Sequence, residues 1–330
     1  MNATSDEATA FEAVTPDFVI HCVEEALGEP CTNLCRPMNS YINRVYELET
    51  ASGTPVIVKF YRPGRWSRDA LMDEQQFLFD LHEAEVPVIP AIGSDFTDSL
   101  HEAGGLNYAL FPKKGGRIVD EPDEGQWREL GRLVGRMHVV GSSGGVRDRA
   151  RMHPGHSTPR HLEATLSSPH LEKDWRTRYE KAATQIIERI CPLFEEREVF
   201  RIHGDLHVQN IIYRPGESFY LIDFDDMAVG PSIQDIWMLL PGRVEDARRE
   251  LHLFLEGYEL FREFEDQELR LVEPLRAMRF IHYTAWCAHQ ADEYGFQRLH
   301  PDWGTPAYWR QEIDGLERQL CEIEDSLGNA

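Results

Sequence analysis

Lysine is scarce in this 330-residue chain: Lys59, Lys113, Lys114, Lys173 and Lys181 are all there is, and the other 29 of the 34 basic residues are arginine. Against 57 acidic residues they leave a formal net charge of −23. A surface that grips nucleic acid or an anionic membrane needs clustered cations, so neither partner is expected. No run of 18 apolar residues occurs, and no membrane span is expected. Cysteine is sparse too. Cys31 and Cys35 stand four apart, but no second Cys or His pair follows at finger spacing, so a zinc site is not expected there. With Cys22, Cys191, Cys287 and Cys321 they read as reduced thiols. The opening MNATSDEATA lacks the basic start and apolar stretch of a secretory signal, and the cytoplasm is the expected compartment, with a monomer the expected state.

What is present suits a folded enzyme. Hydrophobic residues make up 42% of the chain, enough for a sizeable core, and the length accommodates two lobes of about 100 to 220 residues. An acidic protein that binds an anion must supply local positive charge, from Lys, Arg, a metal ion or oriented backbone amides.

Along the chain, residues 1–15 read as frayed and 16–28 as a short helix between Pro16 and Gly28. Strands are expected at 41–49, 55–61 and 106–112, with Ser52-Gly53 turning the first pair into a hairpin. Between them, 67–82 reads as a helix capped by Ser67. Its apolar stripe is Ala70, Leu71, Phe77, Leu78 and Leu81, and Glu74 falls near the centre of that stripe. A carboxylate there is costly unless it is paired. The KKGGR stretch at 113–117 reads as a linker, which puts the lobe boundary near 112. Beyond it the spacing of Trp127, Leu130, Val134 and Met137, and of Tyr179, Ile186, Ile190 and Phe194, is helical. Residues 141–160 read as a loop, 211–213 and 219–222 as short strands joined at Pro215-Gly216, and helices resume from about 232.

The strongest signal is HGDLHVQN at 203–210 followed by LIDFDD at 221–226. Phosphoryl transfer asks for metal ions to neutralise phosphate charge, a cation on the phosphates and a carboxylate to orient the attacking hydroxyl. Asp205 would take the hydroxyl proton. Asn210 and Asp223 offer oxygen ligands of the kind magnesium prefers, and the hairpin between them brings both to one edge of a small sheet.

H-x-D-x-x-x-x-N followed by a strand and D-x-D resembles the aminoglycoside phosphotransferase and choline kinase superfamily, and within it the bacterial stress response kinases of the RdoA type, which are Ser/Thr protein kinases. Matching stretches include MNSYINRVYELE at 38–49, VIVKFYRPGRW at 56–66, FPKKGGR at 111–117, GRLVGRMH at 131–138 and GPSIQDIWMLL at 230–240. The resemblance implies an α+β, protein-kinase-like fold. A small antiparallel-sheet lobe at 1–112 would bind ATP, and a mainly helical lobe at 113–330 would carry catalysis and the substrate. It further implies Asp205 and Asp223 as catalytic residues, Lys59 on the α- and β-phosphates paired with Glu74, and Ser40 capping the phosphates. Asn210 and Asp223 would be the ligands of Mg2+, with ATP as co-substrate. His203 and Asp235 would brace the catalytic loop, 111–117 would lie beside adenine, and His207 would be buried or supporting. No glycine occurs in 36–48, where eukaryotic protein kinases carry a glycine-rich loop. The expected activity is ATP-dependent phosphorylation of protein Ser or Thr in a stress response. A small-molecule kinase and a nucleotide-binding pseudokinase are the alternatives; Arg276, Arg279 and Tyr283 would either meet an acidic peptide or form internal salt bridges.

Overall fold

In the computed structural model of the protein, the described residues are 11, 13–40, 42–195, 197–291 and 296–328. Most of the stretch expected to be frayed, and Tyr41 at the head of an expected strand, lie outside them. The chain forms two compact units. One takes in the residues up to Arg149 with His203–Met227 and Leu239–Glu263; the other holds Ala150–Ile202, Ala228–Met238 and the residues from Phe264 on.

The first unit begins with helix α1 (Pro16–Leu27), whose ends follow from its sequence. Thr15 caps it by accepting from the Phe18 N–H, Pro16 occupies the first turn, and Gly28 closes it in the left-handed conformation. Five antiparallel strands follow: β1 (Cys31–Pro37), β2 (Arg44–Thr50), β3 (Pro55–Phe60), β4 (Leu100–Ala103) and β5 (Leu106–Pro112), in the order β1-β2-β3-β5-β4. Helix α2 (Arg68–Glu83) sits between β3 and β4 in the chain, capped by Ser67, whose hydroxyl accepts from the Ala70 N–H. Side chains alternate across β3. Val56, Val58 and Phe60 join Val19, Cys22 and Val23 of α1 in one core cluster. Ala109, the register partner of Lys59, packs with Leu71 of α2 on the other face. The strand therefore delivers Lys59 to the α2 side.

Helix α3 (Glu124–Ser142) runs five residues further than its apolar spacing marks, and the stretch expected to be a loop from 141 to 160 also contains the first turn of α4 (Ser157–Ser167). The second unit comprises α4, α5 (Lys173–Ile190), a two-stranded ladder of β6 (Phe200–Ile202) and β9 (Ala228–Gly230), α7 (Val272–Gln290) and α8 (Pro306–Gly328). Back in the first unit are the hairpin of β7 (Ile211–Tyr213) and β8 (Phe219–Leu221), and α6 (Arg248–Tyr258). Among the described residues, no helix is long and apolar enough to cross a membrane, and all six cysteines are free thiols.

The pairing of α3 with α6 depends on glycine. A Cβ on Gly131 would stand 1.9 Å from the Phe254 carbonyl oxygen, and one on Gly257 would stand 2.0 Å from that of Arg128. Helix propensity alone predicts that Gly→Ala stabilises by about 1 kcal/mol. Backbone overlap outweighs it, so Gly131→Ala and Gly257→Ala should each cost about 1–3 kcal/mol. Thermal melts check this, and an unchanged or raised midpoint would show that the two helices do not approach so closely.

Arg276 of α7 stacks its guanidinium over Trp237 at 4.7 Å and lies 3.3 Å from Glu273. Arg279 reaches the Met238 sulfur at 3.8 Å. Trp309 is fully buried and packs against Trp303, Tyr308 and Tyr179.

Candidate active site

Lys59 meets three carboxylates. Its Nζ lies 3.1 Å from Asp223 Oδ1, 3.3 Å from Asp225 Oδ1 and 3.6 Å from Glu74 Oε1, beneath a further contact with the Tyr61 ring. Glu74 occupies the buried face of α2, 1% exposed, where its stripe position puts it. It accepts from Tyr61 Oη at 3.1 Å and from Arg149 Nη2 at 2.9 Å. Asp225, also buried, accepts from Arg65 Nη1 at 2.7 Å, and Arg65 Nη2 reaches Asp226 at 2.5 Å.

The hairpin β7–β8 sets the other side of the site. Asn210 stands immediately before β7 and Asp223 two residues after β8, and Ile222 N–H donates to the Asn210 carbonyl, holding the two ends together. Asn210 Nδ2 donates to the Asp205 carbonyl at 2.9 Å, which fixes the loop that carries Asp205 and commits the amide nitrogen, leaving the oxygen for other duty. His207 Nε2 lies 3.4 Å from Asp205 Oδ2; its side chain is partly exposed, not buried. His203 bonds to the Ile222 carbonyl through Nε2 at 2.9 Å and packs on Phe224, which meets Phe77 of α2 edge-on. Asp223 itself is exposed and takes left-handed φ of 60°, a conformation unusual for a non-glycine residue and common at functional turns. Ser40 is half-buried in the 38–43 connection between β1 and β2. The 113–117 linker is tied to β3 by Lys113 N–H on the Pro55 carbonyl and to β7 by paired backbone bonds between Arg117 and Tyr213.

Burial and charge pull against each other here. Burial by itself depresses the Lys59 ammonium, but Asp225, Glu74 and Asp223 outweigh it and hold its pKa well above the ordinary lysine value. Burial lifts Glu74 above the usual carboxylate range, with Lys59 and Arg149 pulling the other way. For Asp225 the cations win over burial, and Lys59, Arg65 and Arg149 bring it down to about 2. Glu74, Asp205, Asp223, Asp225 and Asp226 contribute five negative charges, and Lys59, Arg65 and Arg149 three positive, so three minus five leaves a site of formal charge −2. A polyphosphate could enter such a site only with additional positive charge, and the oxygen donors of Asp223 and Asn210 are of the type that hard divalent cations take. Among the described residues no three His, Cys, Asp or Glu side chains form a metal cage by themselves.

Three of these residues escape a sequence reading. Arg149, Arg65 and Asp225 each take their place from partners far along the chain: Arg149 is 75 residues from Glu74, and Arg65 is 160 from Asp225. The available signals were Arg65, six residues after Lys59 in a stretch marked by the resemblance, and Asp225, the second aspartate of the D-x-D motif.

The phosphotransferase enzyme family matches residues 35–272. Stress response kinase A of Escherichia coli is 34% identical over 326 residues, covering 97% of each chain. A Salmonella typhimurium protein named serine/threonine protein kinase RdoA is 32% identical over 310 residues, covering 93% of each. Among solved structures, an amicoumacin kinase in complex with AMP-PNP, Ca2+ and its ligand superposes with a TM-score of 0.70 at 21% identity, over 92% of both chains. Choline kinase LicA of Streptococcus pneumoniae superposes at 0.60 with 14% identity, over 92% of this chain and 99% of that one. The α+β, kinase-like fold expected from the sequence is the one these structures share.

Proposed function

Because the chain belongs to the phosphotransferase enzyme family, we propose that it transfers the γ-phosphoryl group of ATP to Ser or Thr hydroxyls of protein, as a stress response kinase. The observation that carries the phosphotransfer reading is the convergence of Lys59 with Asp223, Asp225 and Glu74 beside a catalytic loop locked by Asn210. The protein acceptor rests on the names of the relatives at 32–34% identity.

In this reading Lys59 contacts the α- and β-phosphates, Ser40 caps them, and Glu74 keeps the ammonium oriented. Asn210 and Asp223 would hold Mg2+, which when bound supplies the charge neutralisation that the acidic site lacks. Asp205 accepts a hydrogen bond from the acceptor hydroxyl, aims its oxygen at the γ-phosphorus and takes its proton as the new O–P bond forms and the bond from that phosphorus to the β,γ-bridging oxygen breaks, releasing ADP. The linker at 113–117 lies beside adenine. The division into 1–112 for nucleotide binding and 113–330 for catalysis and substrate is proposed as one of function, not of packing.

Labelled ATP offered to a generic protein and to a panel of small alcohols, including amino alcohols and aminoglycosides, tests the proposal. Label on Ser and Thr is expected. Label on a small alcohol alone would move the protein to the small-molecule branch of its family, and no transfer to anything would remove the catalytic reading.

The Lys59–Glu74 pair gives a second test. Removing Lys59 leaves Glu74 to Arg149 and Tyr61, and removing Glu74 leaves Lys59 to Asp223 and Asp225, so in either case the ammonium is lost or is drawn away from its three-carboxylate position. Lys59→Met and Glu74→Gln should each lower kcat/KM for ATP by about tenfold or more. The double variant should lose less than the two losses combined, because both break one unit. Strictly additive losses would mean that Lys59 works without Glu74.

A further inference from the structure

Arg149 is the least expected residue of the first unit. Its side chain is 0% exposed, yet it ends a stretch rich in Gly, Ser and Arg. Its donors are placed on three different targets: Nη2 on Glu74 Oε2 at 2.9 Å, Nε on the Ala70 carbonyl at 2.7 Å and Nη1 on the Asp225 carbonyl at 2.6 Å. The guanidinium also lies over the Trp66 ring at 4.4 Å. The backbone around it is fixed to the same helix. The N–H groups of Arg147, Asp148 and Arg149 all converge on Asp73 Oδ2, at 2.8, 2.9 and 3.3 Å, and the Ser67 hydroxyl bonds to Asp148. Segment 147–149 and helix α2 therefore hold each other through Ser67, Ala70, Asp73 and Glu74.

The distances rank the partners of Glu74. Arg149 is at 2.9 Å and Lys59 at 3.6 Å, while Lys59 stands nearer to Asp223 and Asp225 than to Glu74. A lysine that must turn to phosphates would, in a simple two-residue pair, leave its glutamate buried and unpaired. Here Glu74 keeps a second cation. The converse also holds: an outward swing of α2 would take from a wholly buried guanidinium the one carboxylate it bonds directly, leaving only the more distant charge of Asp225, and under-compensating a buried charge is costly.

We propose that Arg149 is a positioning residue of the phosphotransfer site: it is the standing counter-ion of Glu74, and it holds α2 and the Asp223–Asp226 turn in one arrangement before any nucleotide binds. Lys59 is thereby released to the phosphates. The inference rests on the phosphotransferase reading of the site for its functional half. Its structural half, the clamping of α2, does not.

The test uses the full chain in four forms: wild type, Arg149→Met, Arg149→Lys and Leu251→Ala. The last is a buried α6 substitution away from the site, studied at a temperature that matches its stability to that of the Arg149 variants. Amide hydrogen exchange without nucleotide reads the clamp. In Arg149→Met, exchange across α2 and residues 223–227 should quicken by about ten- to a hundredfold relative to Leu251→Ala, the scale of a lost bond to a charged group. Arg149→Lys keeps the charge but not the three-way geometry and should fall between. The kcat/KM for ATP should follow the same order, whereas Leu251→Ala should leave it unchanged. If Arg149→Met does not fold, Arg149→Lys against Leu251→Ala decides. Exchange and kcat/KM indistinguishable from Leu251→Ala would overturn the proposal. A clear exchange contrast in a protein that transfers no phosphate would leave the clamp standing and overturn the functional reading instead.

Discussion

Asp205→Ala is expected to lower turnover by about 10² to 10⁴, the range for a positioned general base, while MgATP affinity stays close to that of the wild type. The separation follows from where Asp205 stands. Its side chain is partly exposed and faces His207, its backbone carbonyl is fixed by Asn210, and the Lys59 ammonium pairs with Asp223, Asp225 and Glu74 instead. Deleting the carboxylate therefore spares Lys59, the group proposed to contact phosphate. Asp225→Ala should behave differently. Asp225 is buried between Lys59 and Arg65, so its removal leaves two cations short of a counter-charge, and nucleotide affinity and thermal stability should fall together. Steady-state kinetics with nucleotide titrations on both variants would separate the two roles. Near-wild-type turnover in Asp205→Ala, with activity abolished in Asp225→Ala, would mean that the base has been assigned to the wrong aspartate.

How much of this site a sequence displays depends on how local each part is. Asp205, Asn210 and Asp223 lie within 19 positions of one another, before and after one hairpin, so their spacing as proposed site residues can be read along the chain. Glu74 is legible for another reason: a carboxylate in the middle of an apolar helical stripe contradicts its surroundings, and the contradiction calls for a partner. Strand β1 is hidden because it is an edge strand with no fully buried residue, so it has no reason to alternate apolar and polar side chains. Helix α4 is hidden because its buried face is Thr158, Leu162 and Thr165, two hydroxyls and a single leucine, too polar to register as a stripe. Arg149 is hidden because everything that buries it lies about 75 residues away in the chain, on Ala70, Glu74 and Asp225. An arginine in a run of Gly, Ser and Arg reads as solvated until the fold supplies those partners.

The second large effect is expected at Asp223. Asn is close to Asp in size and is among the residues that tolerate left-handed φ, so Asp223→Asn should keep the turn at φ 60° and the fold around it. What changes is charge. The formal sum of the site moves from −2 to −1, and the exposed carboxylate that now pairs with Lys59 at 3.1 Å disappears. Two consequences oppose each other. A less acidic site repels a bare polyphosphate less, so metal-free nucleotide should bind somewhat better to the variant. On the proposed ligand pair, a hard divalent cation would lose its charged protein ligand and keep only the neutral oxygen of Asn210, so the gain in nucleotide affinity on adding Mg2+ or Mn2+ should shrink sharply. Turnover should fall by about 10² or more, because the electrostatic stabilisation lost is the kind realised chiefly in the transition state. Calorimetric titrations of both proteins with ATP, with and without metal, measure the two affinity effects directly, and single-turnover kinetics measure the third. Equal nucleotide affinity with and without metal in the wild type as well as the variant would remove Asp223 and Asn210 as the metal-binding pair, and the acidic surplus around Lys59 would then need another explanation.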